Sequence, residues 1–217
     1  MLNKKGNVPL IFMIFLFFMA LGVVGIDFSR AHAIRARLQT ACDAATLAAC
    51  QQANIVPIYK TEMYDANGNI TNDPSTAVSV QSKIVGYHSD LSSNAAEAQK
   101  AADEAFIKNL QGVDIPLKSV ILPQNIAINS SDIHNLPDLS ISEGIDYNNP
   151  DVVNGIPYYD KYYFNATVGV RSFLYSGVFK NWIGGVKQSD TQARNYVLIG
   201  AKSESQALSP KNSQQTN

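Results

Sequence analysis

From Val8 to Ile26 the chain reads VPLIFMIFLFFMALGVVGI, without one charged residue. No other stretch limits the fold so firmly. At ~1.5 Å per helical residue the run spans ~28 Å, close to the ~30 Å hydrocarbon core of a bilayer. A secretory signal has a shorter apolar region, ~7–15 residues, followed by a small-x-small cleavage site. Here Asp27-Phe28-Ser29-Arg30 follows, which makes a poor cleavage site. The segment is expected to be retained as a signal anchor, with 1–7 as a cytoplasmic leader and 8–26 as the transmembrane segment. Lys4 and Lys5 flank one end and Arg30, Arg35 and Arg37 the other, so positive charge leaves the orientation open. The short leader favours an N-terminus inside and the bulk of the chain outside.

Nothing breaks a helix after the anchor. Pro9 fits a first helical turn, where no amide donor is needed, and the next proline is Pro57. One continuous helix, about 68 Å long, is expected, with 27–54 as its extracytoplasmic continuation. Ala31, Ile34, Leu38, Ala41, Ala45 and Ala48 recur at intervals of 3, 4, 3, 4 and 3, a narrow heptad-like stripe built mainly of alanine. Across the membrane boundary Gly25, Ser29 and Ala33 place a small residue at every fourth position, a pattern that lets helix backbones meet.

Such a face suits packing on the chain's own head and contact with another subunit, and both fit different parts of the helix. The residues expected at a helix-packing or assembly interface are Gly25, Ser29, Ala33, Ile34, Leu38, Ala41, Ala45 and Ala48. On that expectation Ala41→Arg or Ala45→Arg abolishes assembly while leaving membrane insertion intact. Asp27 and Arg30, at i and i+3, can pair at the bilayer edge. Cys42 and Cys50 lie ~12 Å apart along the helix axis, beyond the ~7 Å reach of a disulfide between Cα atoms. Each reads as a small apolar residue in an alanine-like position, with intermolecular pairing as the alternative.

These residues also carry a family resemblance. The leader, Gly6-Asn7, the apolar run, Gly25-Ile26-Asp27-Phe28-Ser29-Arg30 and Leu38-Gln39-Thr40-Ala41-Cys42-Asp43-Ala44-Ala45-Thr46-Leu47-Ala48-Ala49 resemble the N-terminal signature of the TadE/TadG-like proteins of the tight-adherence (Tad, or Flp) pilus system. AADEAFIKNL (Ala101 to Leu110) is similar to that family's Ala-rich helix. NATVGVRSFLYSGVFKNWIGG and ARNYVLIGAKS are similar to its C-terminal strand, Phe-rich short helix and final strand. The resemblance implies an inner-membrane-anchored minor pilin or pilus-assembly component, with its bulk in the periplasm and other pilus subunits as partners. TadE-like pseudopilins carry a glutamate five residues after the processed glycine. Counting from Gly6 that residue is Ile11, and no acidic residue precedes Asp27, so a retained TadG-like anchor is implied rather than cleavage after Gly6. The length left over is too small for the von Willebrand A-type module of larger TadG proteins, so the resemblance implies a short form without it.

Beyond Ile55 the sequence reads as strands and loops up to Ser89. Asn67-Gly68 is a strong hairpin signal, with Asp65 and Asn69 around it. Asp65-x-Asn67-x-Asn69 also starts like a calcium loop, but Ile70 stands at loop position six and Thr76 at position twelve, so a turn is expected. Ser92-Ser93-Asn94 can cap a helix from Ala95 to Leu110, with Gly112 ending it. VILPQNIAI, LSISEGI, IPYYDKYYFNATVGVRS and TQARNYVLIGAKS follow as strand-like runs. Tyr158, Tyr159, Tyr162 and Tyr163 form either an aromatic binding surface or a cross-strand row, and the row is the favoured reading. The polar stretch from Ser203 is expected to be a disordered tail. The fold expected is α+β: a long N-terminal transmembrane helix continuing into an extracytoplasmic pilin-like head, 55–202, with a small antiparallel sheet and one or two further helices, then the tail 203–217.

Chemistry is scarce. The formal net charge is −1, and the 17 basic and 18 acidic residues are scattered, which argues against a nucleic-acid partner. His32, His88 and His134 are far apart, and no Gly-x-Ser-x-Gly elbow or phosphate-binding loop is present. No catalytic set, metal motif, cofactor or small-molecule substrate is implied; membrane lipid and protein subunits are the expected partners. The leading expectation is therefore helix packing in pilus assembly. The alternative is a membrane-tethered adhesin or sensor head that binds through the tyrosines. An anchored hydrolase would need a catalytic set assembled from residues distant in sequence.

Overall fold

The structure, a computed structural model, describes residues 7–110, 130–136, 138–171 and 196–209. Helix α1, Asn7–Cys50, runs unbroken through Asp27 for 44 residues, about 66 Å at the usual helical rise. It is followed by β1 (Asn54–Tyr64), β2 (Ile70–Thr71), β3 (Ser79–Asp90) and helix α2 (Ala95–Leu110). Then come β4 (Leu139–Ile145), β5 (Asp151–Val153), β6 (Ile156–Tyr158), β7 (Lys161–Arg171) and β8 (Tyr196–Gln206). Short 3-10 turns occupy Ser92–Asn94 and Ser130–Asn135. The strands form three sheets, ordered β2-β1-β3, β4-β7-β8 and β5-β6. The mixed α+β architecture with a long apolar N-terminal helix is the one expected from the sequence.

The chain divides into two compact units. The first comprises residues 1–44, 103–142 and 164–203. Here Leu38, Ala41 and Cys42 of α1 are fully buried. The Cys42 sulfur is hydrogen-bonded by the Ala166 main chain, and Gln39 Nε2 donates to Lys202 O at 2.8 Å. These contacts lay α1 on β7 and β8. Phe106 of α2 meets Phe164 of β7 with ring centroids 4.8 Å apart. Asp103 contacts His134 Nε2 at 3.3 Å, joining α2 to the second 3-10 turn. Along β7, Phe164, Ala166, Val168 and Val170 are buried while Asn165 and Thr167 are only half so, the period-two pattern of a strand with one face on the core.

The second unit comprises 45–102, 143–163 and 204–217. Ala45, Thr46 and Ala49 of α1 are buried here with Leu91, Ala98, Ala102, Ile145 and Tyr162. β1 and β3 pair antiparallel from Asn54↔Asp90 to Tyr64↔Ser79, with a bulge between Ile58 and Tyr59. The Asn67-Gly68 signal makes the expected turn into β2: Gly68 has φ +79°, and Asp65 Oδ1 accepts from the amides of Asn67 and Asn69. Those amides hold the Asp65 carboxyl below its ordinary value, the Asn69 bond contributing most. The carboxylate belongs to the turn. A second hairpin, absent from the sequence reading, joins β5 to β6 through Asn154 and Gly155 at φ +53° and +78°. Positive φ at both central residues is what a two-residue turn of this kind requires.

Several boundaries differ from expectation. β8 continues past Ser203 to Gln206, and Ala207 is buried. Hydrogen bonds hold that end, with Ser205 Oγ on Thr46 Oγ1 at 2.8 Å and Ala207 N on Asp160 O at 2.7 Å. A polar strand end fixed in this way shows no apolar alternation. Ser92–Asn94 forms its own 3-10 turn ahead of α2, and the Asn94 side chain donates to Gln52 O. The strand expected at VILPQNIAI, the stop at Gly112, the Phe-rich helix and residues 210–217 of the expected tail lie outside the described residues.

Candidate functional site

Helix α1 has two faces of opposite character. Each helical residue advances about 100°, so Ile34, Leu38, Ala41, Cys42, Ala45, Thr46 and Ala49, all buried, share one side. Four of the residues expected at a helix-packing or assembly interface, Ile34, Leu38, Ala41 and Ala45, are taken up by the chain's own fold, and Ala48 is half-buried. Packing on the chain's own head, one of the two uses expected of the stripe, accounts for these four positions. A straight α-helix drifts about 20° per heptad from a seven-residue repeat. The buried side therefore moves onto Cys42, Thr46 and Ala49, which the count omitted.

Gly25, Ser29 and Ala33 are exposed. They line up with Gly22, Ala36 and Thr40, also exposed, at intervals of 3, 4, 4, 3 and 4. The mean direction of this row is about 180° from the buried side. Every residue in it is small. A Cβ built on Gly22 or Gly25 meets nothing within 4 Å, so the chain's own packing does not require glycine at either place. Thr40 Oγ1 bonds back to Ala36 O at 3.0 Å, which satisfies the hydroxyl within the helix. Gly22, Ala36 and Thr40 were legible as the two ends of the Gly25-Ser29-Ala33 row.

At its N-terminal end α1 exposes Leu10, Phe12, Phe15, Phe17, Phe18 and Ile26. None of this apolar run is buried. The helix is long and apolar enough to cross a membrane. Asp27 and Arg30 stand one turn apart where this run ends; both are half-buried, and each has a bonded or electrostatic partner.

The tyrosines do not form an exposed aromatic surface. Tyr158 is 8% exposed and packs on the His88 ring at 4.6 Å, while Tyr162 is 1% exposed and donates to Glu143 Oε2 at 2.8 Å. Tyr159 meets Tyr147 edge-on at 4.9 Å, and the Tyr163 ring lies against Gly144. Alternation along β6 and β7 sends neighbouring tyrosines to different sides, so nearness in sequence does not gather them.

Both cysteines are free thiols, Cys42 buried and Cys50 half-buried. Burial pushes Cys42 up to about 12 and Cys50 up to about 11. Cys50 Sγ also donates to Ser205 O at 3.3 Å. Thiols held protonated in this way are poor nucleophiles and act as packing residues. Sequence spacing offered no metal motif, yet the fold brings His88, Asp151 and Asp160 together, with one ligand-capable atom of each within 4.8 Å of the others.

Two features thus stand out: a helix apolar enough for a bilayer, and a row of small residues continuing along its exposed side. Residues 6–53, which contain all of α1, match the family described as putative Flp pilus-assembly TadE/G-like. No curated protein and no solved structure matches the chain.

Proposed function

Over residues 6–53 the chain is TadE/G-like and therefore pilus-related, and from that premise we propose that it is a membrane-anchored minor pilin or pilus-assembly subunit acting by helix packing. The observation that carries the reading is the exposed row Gly22, Gly25, Ser29, Ala33, Ala36 and Thr40 on the side of α1 away from its own fold. Residues 8–26 anchor the chain in the inner membrane, Asp27 and Arg30 mark the boundary, and the head lies in the periplasm. The small row crosses that boundary and lets the helix of a neighbouring subunit approach closely. Packing between such helices draws on van der Waals contact, which rises steeply as backbones come together.

The residues assigned to the intersubunit contact are Gly25, Ser29 and Ala33, extended by Gly22, Ala36 and Thr40. Ala33→Arg puts a long charged side chain outside the anchor and away from the buried core. It should abolish piliation and copurification with other pilins while leaving the amount of membrane-inserted chain unchanged. Normal piliation in this variant would overturn the reading. Burial of Tyr158 and Tyr162 weighs against the tethered-adhesin alternative in the form that binds through these tyrosines.

A further inference from the structure

β3, the β5–β6 hairpin and the corner before β7 bring together three side chains remote in sequence. His88 Nε2 lies 3.4 Å from Asp151 Oδ2, and a carboxylate oxygen of Asp160 completes a set of three atoms mutually within 4.8 Å. His88 is 8% exposed and Asp160 only 2%, whereas the Asp151 side chain sits at the rim, 54% exposed. His88 Nε2 and Asp160 Oδ1 are both buried and have no hydrogen-bond partner. The 3.4 Å approach of His88 to Asp151 is an ion-pair distance without hydrogen-bond geometry. Buried polar atoms are nearly always satisfied, and a carboxylate oxygen removed from water without a donor or cation is costly.

The surroundings hold the three groups in place. Asp160 Oδ2 accepts from Gln206 Nε2 at 2.6 Å, and Asp160 O accepts from Ala207 N at 2.7 Å. The Tyr158 ring lies against the His88 imidazole at 4.6 Å, and the hairpin register sets Asp151 opposite Tyr158. Lys161 also borders the site. The three side chains therefore converge from a built framework.

We propose that His88, Asp151 and Asp160 form a mononuclear site for a divalent transition cation of the Zn2+ type. Bonds of about 2.1 Å in tetrahedral geometry place neighbouring ligand atoms roughly 3.4 Å apart, the separation already found between His88 Nε2 and Asp151 Oδ2. The imidazole nitrogen selects Zn2+ and its neighbours over Ca2+ and Mg2+, which take oxygen ligands. Two carboxylates balance the ion's charge, and both also line a cleft of about 360 Å3 with Asn148, Asn149, Lys161 and Gln206. Bound there, the cation staples β3 to the β5–β6 hairpin and to the start of β7.

The test uses the full chain in detergent micelles, without a histidine tag, stripped with chelator and titrated by calorimetry with Zn2+ and, in parallel, with Ca2+. One Zn2+ per chain is expected, with a higher Tm on saturation and no comparable binding of Ca2+. Asp151→Asn, at the exposed rim, should fold normally, weaken Zn2+ binding by at least about tenfold and lose most of the Tm rise. His88→Gln should abolish binding; since His88 is buried, that result counts only if the variant keeps its far-ultraviolet circular dichroism, and Asp151→Asn decides otherwise. Failure of the wild-type chain to bind Zn2+ saturably would overturn the site. Unchanged affinity in Asp151→Asn would equally overturn it, and Ca2+ binding as tight as Zn2+ would overturn the transition-metal assignment.

Discussion

Thr46 Oγ1 lies 2.8 Å from Ser205 Oγ, and one turn further along α1 Cys50 Sγ reaches Ser205 O at 3.3 Å. A single polar residue of β8 is thereby held by two positions of the helix, and Thr46 has no exposure to water. Thr46→Val keeps the shape and removes the hydroxyl, taking from Ser205 this hydrogen-bond partner. We expect a loss of about 1–3 kcal/mol in unfolding free energy, measured by denaturant titration of the full chain in detergent. Adding Ser205→Ala to Thr46→Val should recover most of that loss, because both partners are then apolar.

The core side of α1 gives a second prediction. Leu38 is fully buried, and Leu38→Ala should cost about 2–5 kcal/mol through lost transfer energy and the cavity left behind. Ala41 is also fully buried, so Ala41→Arg forces a charge into a packed interior and should lower the thermal midpoint further. Any loss of assembly in Ala41→Arg would therefore report damage to the head. Ala33→Arg, on the exposed side, should leave the midpoint within a few degrees of wild type, and the comparison separates folding from contact.

What could be read in advance follows from what each feature depends on. The anchor and its continuation need only local information, an uncharged run and no breaker before Pro57, and α1 runs as that implies. Asn67-Gly68 fixed a turn for the same reason, and Asn154-Gly155 in VVNGIPY carried an equally plain signal that went unused. What covers the inward side of α1, β7 and β8, lies far along the chain. The heptad stripe includes Ile34, Leu38, Ala41 and Ala45 of that side but, through the drift of a straight helix, not Cys42, Thr46 and Ala49. Ser203–Gln206 is strand because Thr46, Cys50 and Asp160 bond to it or its neighbour, and no pattern within those four residues says so. His88, Asp151 and Asp160 meet only through tertiary structure, which is why no spacing announced them.

The second hairpin yields a third prediction. Gly155 has φ +78°, where an L side chain costs about 1–2 kcal/mol. Gly155→Ala should destabilise the chain by about that amount, read from the thermal midpoint. Asn154 tolerates the same region better than most residues, so Asn154→Gly should change stability by only a few tenths of a kcal/mol, roughly. The hairpin sets Asp151 opposite Tyr158, so Gly155→Ala should also weaken Zn2+ binding, whereas Asn154→Gly should not.

The cysteines supply a pH dependence of defined sign. From an ordinary value of 9.0, burial raises Cys42 to about 12 and Cys50 to about 11 in the folded chain. Above pH 9.0 the unfolded chain releases these protons while the folded chain keeps them, so unfolding gains from each further rise in pH. The stability tied to the protonated thiols is fully present below pH 9.0 and declines from there toward about pH 11 for Cys50 and about pH 12 for Cys42. Tyrosines and lysines titrate in the same range, so the informative quantity is the difference between wild type and the Cys42→Ala/Cys50→Ala variant, whose stability should fall less steeply above pH 9.0. The same burial predicts that iodoacetamide at about pH 7 labels Cys42 only after denaturant is added. Rapid labelling of the native chain at Cys42, read by mass spectrometry, would contradict the packing of α1 on β7.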